Sequence, residues 1–249
     1  MCRRLLRFIL PAILAFACGV PRELLSQEPF PLRYSTKPIS HAETLLLLGA
    51  ADSVEMVLSV QTTDDGVLTT IKVLSRDSVY QDITAVFDPQ SLEPKEVRET
   101  RPHSQGILTY ADSRVRGTVV GTSPRGTPDS VRIDRPIATT GLDRRALLHV
   151  TGWLPLSEEH TFAVLVYDQD RFGAYELRIK TGGTARVVVP AGTFDAYRVE
   201  MTAGTRGMVC PPSLVPAVFY ISADSLRLLL RVERPAAGQT FELLRWGAP

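Results

Sequence analysis

The feature that most constrains this chain is a strict alternation of apolar and polar side chains, repeated in short runs along most of its length. Val54, Met56, Leu58 and Val60 alternate with Glu55, Ser59 and Gln61. Tyr175, Leu177 and Ile179 alternate with Glu176, Arg178 and Lys180, and Leu226, Leu228, Leu230 and Val232 line one face against Arg227, Arg231 and Glu233. A period of two puts successive side chains on opposite faces of a strand, so each run predicts one dry and one wet face. An antiparallel sheet with one buried side has that signature.

Turn signals separate the runs. Asp65-Gly66 predicts a hairpin between Val54–Gln61 and Val67–Leu74. Ser78–Phe87 ends at Asp88-Pro89, and the more polar Pro94–Arg101 reads as an edge strand. Gly106–Tyr110 and Arg114–Val120 form a further hairpin, a Pro/Gly loop leads to Ser130–Asp134, and Phe162–Tyr167, Val215–Ile221 and Thr240–Trp246 complete the series. Only Asp143–Val150 lacks alternation. It predicts one short helix covering an open end, started by Gly141 or Asp143 and stopped by Gly152 and Pro155. Strands do not alternate with long helices, which excludes a parallel α/β sheet. No fixed-period repeat points to a propeller or solenoid. The expected fold is all-β, an antiparallel barrel or strongly curved half-barrel.

The N-terminus belongs to a different class of segment. Arg3, Arg4 and Arg7 precede the apolar run Phe8–Ala17, and no acidic residue occurs before Glu23. A positive region followed by a short apolar run is the grammar of a signal peptide. Spanning a bilayer takes roughly 20 apolar residues. The expected organisation is a signal over 1–27, an extended linker over 28–43 and one β-rich domain over 44–249. Ala15-Phe16-Ala17 fits a small-x-small cleavage site, and Cys18-Gly19 behind it is similar to a bacterial lipobox. Cys18 is therefore the candidate lipid-attachment residue. The alternative is a soluble exported protein cleaved after Ala17 or nearer Gln27. The expected location is the periplasm or the outer membrane, with membrane association only through a lipidated Cys18. Cys210 is then a small core residue, or the partner of an unmodified Cys18.

Motifs that would carry catalysis are missing from the sequence. The nearest approach to a nucleophile elbow, Gly121–Gly126 around Ser123, misplaces the second glycine. His41, His103, His149 and His160 form no H-x-x-x-H pair, although His149 and His160 flank the helix. Asp168 and Asp170 lack the remaining ligands of a calcium loop. With 28 basic and 27 acidic residues, no basic face predicts nucleic acid. No cofactor and no metal are expected. Trp153, Tyr167, Tyr175, Tyr197, Phe219, Tyr220 and Trp246 sit on or beside strands, where they either pack the core or line an apolar cavity.

Val187–Met201 reads as strand, tight turn, strand. Pro190 has the fixed φ that starts a type I turn, Gly192 is free to take the positive φ that closes a hairpin with a bulge, and Phe194 opens the return strand. Val188–Val199 resembles the hallmark of exported bacterial proteins grouped as domain of unknown function 3108 (DUF3108). Leu154-Pro155-Leu156, Phe219-Tyr220-Ile221-Ser222, Leu226–Val232 and Glu242-Leu243 support the resemblance, which covers Trp153–Trp246 best. Gly204–Pro216, with Cys210, Pro211 and Pro212, departs from it as an inserted loop, and the strand with Phe219 and Tyr220 lacks a Trp.

The resemblance implies an envelope location and a curved sheet in the style of lipoprotein carriers and lipocalins. It implies no catalytic residues. Three functions follow as expectations: a non-enzymatic protein holding a lipid or other apolar or amphipathic ligand on its concave face, a structural module contacting an envelope protein, or, third, a hydrolase.

Overall fold

The computed structural model describes residues 38–48, 54–75, 78–91, 93–122, 127–136, 141–145, 147–156, 159–168, 173–207, 210 and 215–249. The expected signal, Cys18 and residues 28–37 of the expected linker lie outside them. The described residues form fifteen strands: β1 (His41–Leu47), β2 (Val54–Thr63), β3 (Gly66–Ser75), β4 (Ser78–Phe87), β5 (Pro94–Arg101), β6 (Ser104–Ala111), β7 (Arg114–Thr122), β8 (Pro128–Pro136), β9 (Gly141–Asp143), β10 (Thr161–Asp168), β11 (Gly173–Val189), β12 (Gly192–Gly207), β13 (Ala217–Ser222), β14 (Leu229–Arg234) and β15 (Gln239–Gly247). They make one sheet in the order β8-β7-β6-β5-β4-β3-β2-β1-β15-β14-β13-β12-β11-β10-β9. The terminal strands β1 and β15 pair in its middle. The middle of the chain supplies both edges.

That order forces the sheet to roll. Laid flat, fifteen strands would span about 67 Å at the usual strand spacing. Yet the edge strands β8 and β9 are consecutive in the chain, joined by residues 137–140. Five residue steps reach at most about 18 Å. Among the described residues no ladder joins the two edges, so the sheet is rolled rather than closed by backbone pairing.

Side chains hold the roll. Tyr110 of β6 donates its hydroxyl proton to Asp143 Oδ2 at the end of β9, and Arg145 Nε donates to Glu99 Oε2 of β5. Glu99 Oε1 also accepts from Arg101 (2.6 Å) and from Gln81 Nε2 (2.5 Å), and Asp143 Oδ1 accepts from the Arg145 amide at 2.7 Å. Arg144 Nε sits 3.5 Å from Asp168 of β10. Outside this seam the sheet overlaps itself. Phe162, Val164 and Val166 of β10 face the main core, whereas Tyr167 points the other way and packs under Leu108, Val115 and Ile133 of β6, β7 and β8.

The concave face carries the core expected from the alternation. Met56, Leu58 and Val60 are buried, as are Tyr175, Leu177 and Ile179. The one short helix, α1 (Leu147–Val150), continues as a 3-10 turn over Thr151–Trp153. It begins four residues later than expected, because Gly141–Asp143 is taken up pairing in parallel with β10. Gly152 lies within the 3-10 turn instead of ending the helix. Trp153 meets Phe87 edge-on at 5.3 Å and closes the end of the roll near His41.

Other expectations shift for local reasons. β5 is not an edge: it pairs with both β4 and β6. Its charges mark a solvated outer face, with Lys95 and Arg98 exposed and Val97 buried. The first hairpin turns on Asp64 and Asp65. Gly66 is already in the ladder opposite Thr63, where an added Cβ would stand 2.6 Å from the Phe87 carbonyl oxygen. β14 begins at Leu229 rather than Leu226, since Asp224 Oδ1 gathers the amides of Leu226 and Arg227 into a turn. β1 starts at His41, inside the stretch expected as linker.

The Pro190–Ala191 turn links β11 and β12 as expected, with Gly192 at φ +139°. The ladder is in unbroken register from Thr184/Tyr197 to Val189/Gly192 at the turn, and its two register shifts lie instead at Gly182/Thr184 and Tyr175/Leu177. The tip beyond is tied to its neighbours by Ala191 N–H to Leu243 O (3.1 Å) and Arg231 Nη2 to Val188 O (2.9 Å). Gly192 approaches the half-buried Phe194 ring, which a Cβ there would meet at 3.6 Å.

Removing one partner of a buried ion pair leaves the other uncompensated. Glu99→Ala is therefore expected to lower the free energy of unfolding by about 3–5 kcal/mol, measured by urea denaturation. Glu96→Ala, on the outer face of the same strand, is expected to change it little.

Candidate functional site

A packed interior leaves few voids larger than a water molecule. This one holds a cavity of about 550 Å³. It opens at the end of the roll where β3, β5 and β14 finish and β4 and β15 start, to judge from Ser75, Gln81, Arg101, Arg234 and Gln239 in its wall. Ile71, Ile83, Leu177, Met201, Phe219 and Phe241 form its apolar sides, and Leu147 and Leu148 of α1 form its floor. Beyond that floor lies a hollow of only about 20 Å³, bounded by His41, Glu43 and Trp153. Thus the helix divides the interior into one roomy and one filled end.

The polar part of the wall has one sign. Arg101, Arg144, Arg145 and Arg234 line the cavity, and no carboxylate does so among the described residues. The acidic partners Glu99 and Asp168 are buried outside the lining. Burial and the like charge of Arg144 both push the Arg234 guanidinium down from its ordinary value. Burial pushes the Asp143 carboxyl up, against the pull of Arg145 and Tyr110. Burial and then the charge of Asp143 hold the Tyr110 hydroxyl well above the usual phenol range, so its proton stays in the seam.

The structure sorts the candidate residues. Of the aromatics, Trp153 and Tyr175 are core, Phe219 lines the cavity, and Tyr167 sits in the overlap. Tyr197 and Tyr220 lie under the guanidinium groups of Arg227 and Arg231, and Trp246 is exposed. Cys210 is in the hydrophobic core. His103 and His160 are exposed, whereas His41 is buried and its Nε2 lies 2.9 Å from Glu43 Oε1. Pro190, Gly192 and Phe194 line no part of the cavity; of Val187–Met201, only Met201 does. Residue reasoning missed the four arginines. The signal was present at Asp143-Arg144-Arg145, a charged triplet set directly before the run Leu147–Leu156 that the fold buries.

The family described as "Protein of unknown function (DUF3108)" matches residues 49–243. The chain belongs to the DUF3108 family. That match covers β2 to β14 entirely, with both the cavity floor and the arginine-lined mouth. No curated protein matches the chain in sequence. Among solved structures, a β-barrel-like protein of domain of unknown function DUF1849 from Brucella abortus superposes with a TM-score of 0.55 at 10% identity, over 86% of this chain and 100% of that one. At that identity the likeness is one of fold alone.

The His41–Glu43 pair at the filled end gives this DUF3108 protein a pH dependence. Burial opposes the charged form of His41. The hydrogen bond and charge of Glu43, the Ile39 carbonyl and the charge of Asp224 outweigh it and raise the imidazole above its ordinary value. Burial raises Glu43 against the pull of His41 and the Leu229 amide. A raised folded value favours the protonated form in the fold. For His41 that stabilisation is complete below the unfolded value of about 6.5 and is lost as pH rises through the folded value. For Glu43 the sign is the same. The thermal midpoint is expected to fall as pH rises from 6 into the alkaline range, and to fall less in His41→Gln, as followed by circular dichroism.

Proposed function

We propose that this protein is exported to the cell envelope and there holds an apolar or amphipathic ligand in its cavity, as a binding or carrier protein rather than an enzyme. One observation carries the reading: an interior of about 550 Å³, walled mostly by aliphatic and aromatic side chains, lies within the roll. Ligand pockets fall in the range of roughly 300–1,000 Å³ with mostly apolar walls and a few polar groups. The Arg3–Ala17 segment supports export, with Cys18 as the residue a lipid would modify.

The second reading is a structural module acting through contacts with an envelope protein. It draws on the exposed Ile107 and Val120 near the free edge, but that edge is also guarded by Pro128, Pro136 and the charges of β8. A hollow interior favours the ligand reading.

The environment-sensitive dye N-phenyl-1-naphthylamine tests it. The purified protein is expected to bind about one dye per chain with enhanced fluorescence. Val73→Trp, which fills the half-buried wall near the mouth, is expected to abolish the signal while the far-UV circular dichroism stays unchanged. Equal dye binding by the wild type and Val73→Trp would place the dye elsewhere and overturn the reading.

A further inference from the structure

The arginines say what kind of amphiphile the cavity suits. Four of them, from three separate parts of the fold, converge on one rim: Arg101 ends β5, Arg144 and Arg145 follow β9, and Arg234 ends β14 opposite Gln239. A guanidinium group facing an apolar hollow is costly unless its charge is met. Here Glu99 and Asp168 reach Arg101, Arg145 and Arg144 from outside the lining, which fixes the side chains while they remain part of the wall. Arg234 and Arg144 both line the cavity, and after burial the like charge of Arg144 also pushes the Arg234 guanidinium down. An anion seated between them would offset that like charge, and the planar fork of arginine matches a carboxylate or phosphate two bonds at a time.

We propose that the cavity selects amphiphiles with an anionic head, a carboxylate or a phosphate, held at the rim by Arg234 and Arg144 with the acyl chain running inward past Met201 toward Leu147. This rests on the ligand-holding reading above and adds the chemistry of the head. A neutral lipid would make no charge-assisted contact with these arginines, and a cationic one would be repelled by them.

Displacement of N-phenyl-1-naphthylamine by four twelve-carbon probes, each below its micellar concentration, separates the possibilities. Dodecanoate and dodecyl phosphate are expected to compete at least about tenfold more strongly than dodecanol, the scale of one hydrogen bond to a charged group. Dodecyltrimethylammonium is expected to be the weakest. Arg234→Gln is expected to cost dodecanoate about tenfold and to leave dodecanol unchanged. Should that variant fail to fold, Arg144→Gln and the salt dependence of the wild type serve instead, since screening weakens only the anionic probes.

Dodecanol or the ammonium probe competing as well as dodecanoate would overturn the anionic-head proposal and leave the ligand-holding reading standing. Failure of all four probes would overturn that reading itself. Inorganic phosphate binding as tightly as dodecyl phosphate would identify a free-anion site and overturn the amphiphile.

Discussion

The structure depends on a buried ion pair, Arg145 with Glu99, set beside the Tyr110–Asp143 hydrogen bond. Fifteen strands in a single ordered sheet need a way to stop spreading, and no backbone ladder joins the first and last strands among the described residues. Side chains do that work. The charged pair is nearly inaccessible, with exposures of 4% for Arg145 and 6% for Glu99, so solvent cannot substitute for either partner. Buried pairs of this sort contribute little net stability against an apolar replacement, but each partner makes the other indispensable. Their value here is positional: they set where the last strands land on the first.

The same seam shapes the interior. Fixing β9 against β5 and β6 brings Arg144 and Arg145 to the cavity and starts α1 at its floor. From there the helix and its 3-10 extension fill one end, where Trp153 meets Phe87. The other end has no equivalent plug among the described residues, and the space there is walled by apolar side chains and edged by arginines. One short segment, residues 143–153, thus joins the roll, seals one end and bounds the cavity.

The sequence made the sheet legible wherever one face was dry and the other wet, as in Tyr175, Leu177 and Ile179 against Arg178 and Lys180, although Glu176 of the same run is buried. It also made the Pro190–Ala191 turn legible, because Pro190 and Gly192 each have a local conformational reason. Long-range relations were not legible. β5 looks like an edge because solvent on one face and a missing neighbour leave the same polar mark. Asp143-Arg144-Arg145 looks like a solvated helical turn, since local pattern does not disclose that a strand from another part of the chain buries it. The DUF3108 hallmark proved a guide to the fold and lies mostly away from the cavity. The residues that give the cavity its chemistry come from the ends of strands distant in sequence, where no spacing rule connects them.

The roll leaves a ligand-sized interior edged by arginines. A crystal structure of the protein grown with 11-bromoundecanoate tests it most directly, because bromine is located by its own anomalous signal. One strong bromine peak is expected inside the roll near Leu147 and Met201, with the carboxylate within hydrogen-bonding distance of Arg234. An interior filled by side chains, or bromine bound only on the outer surface, would contradict it.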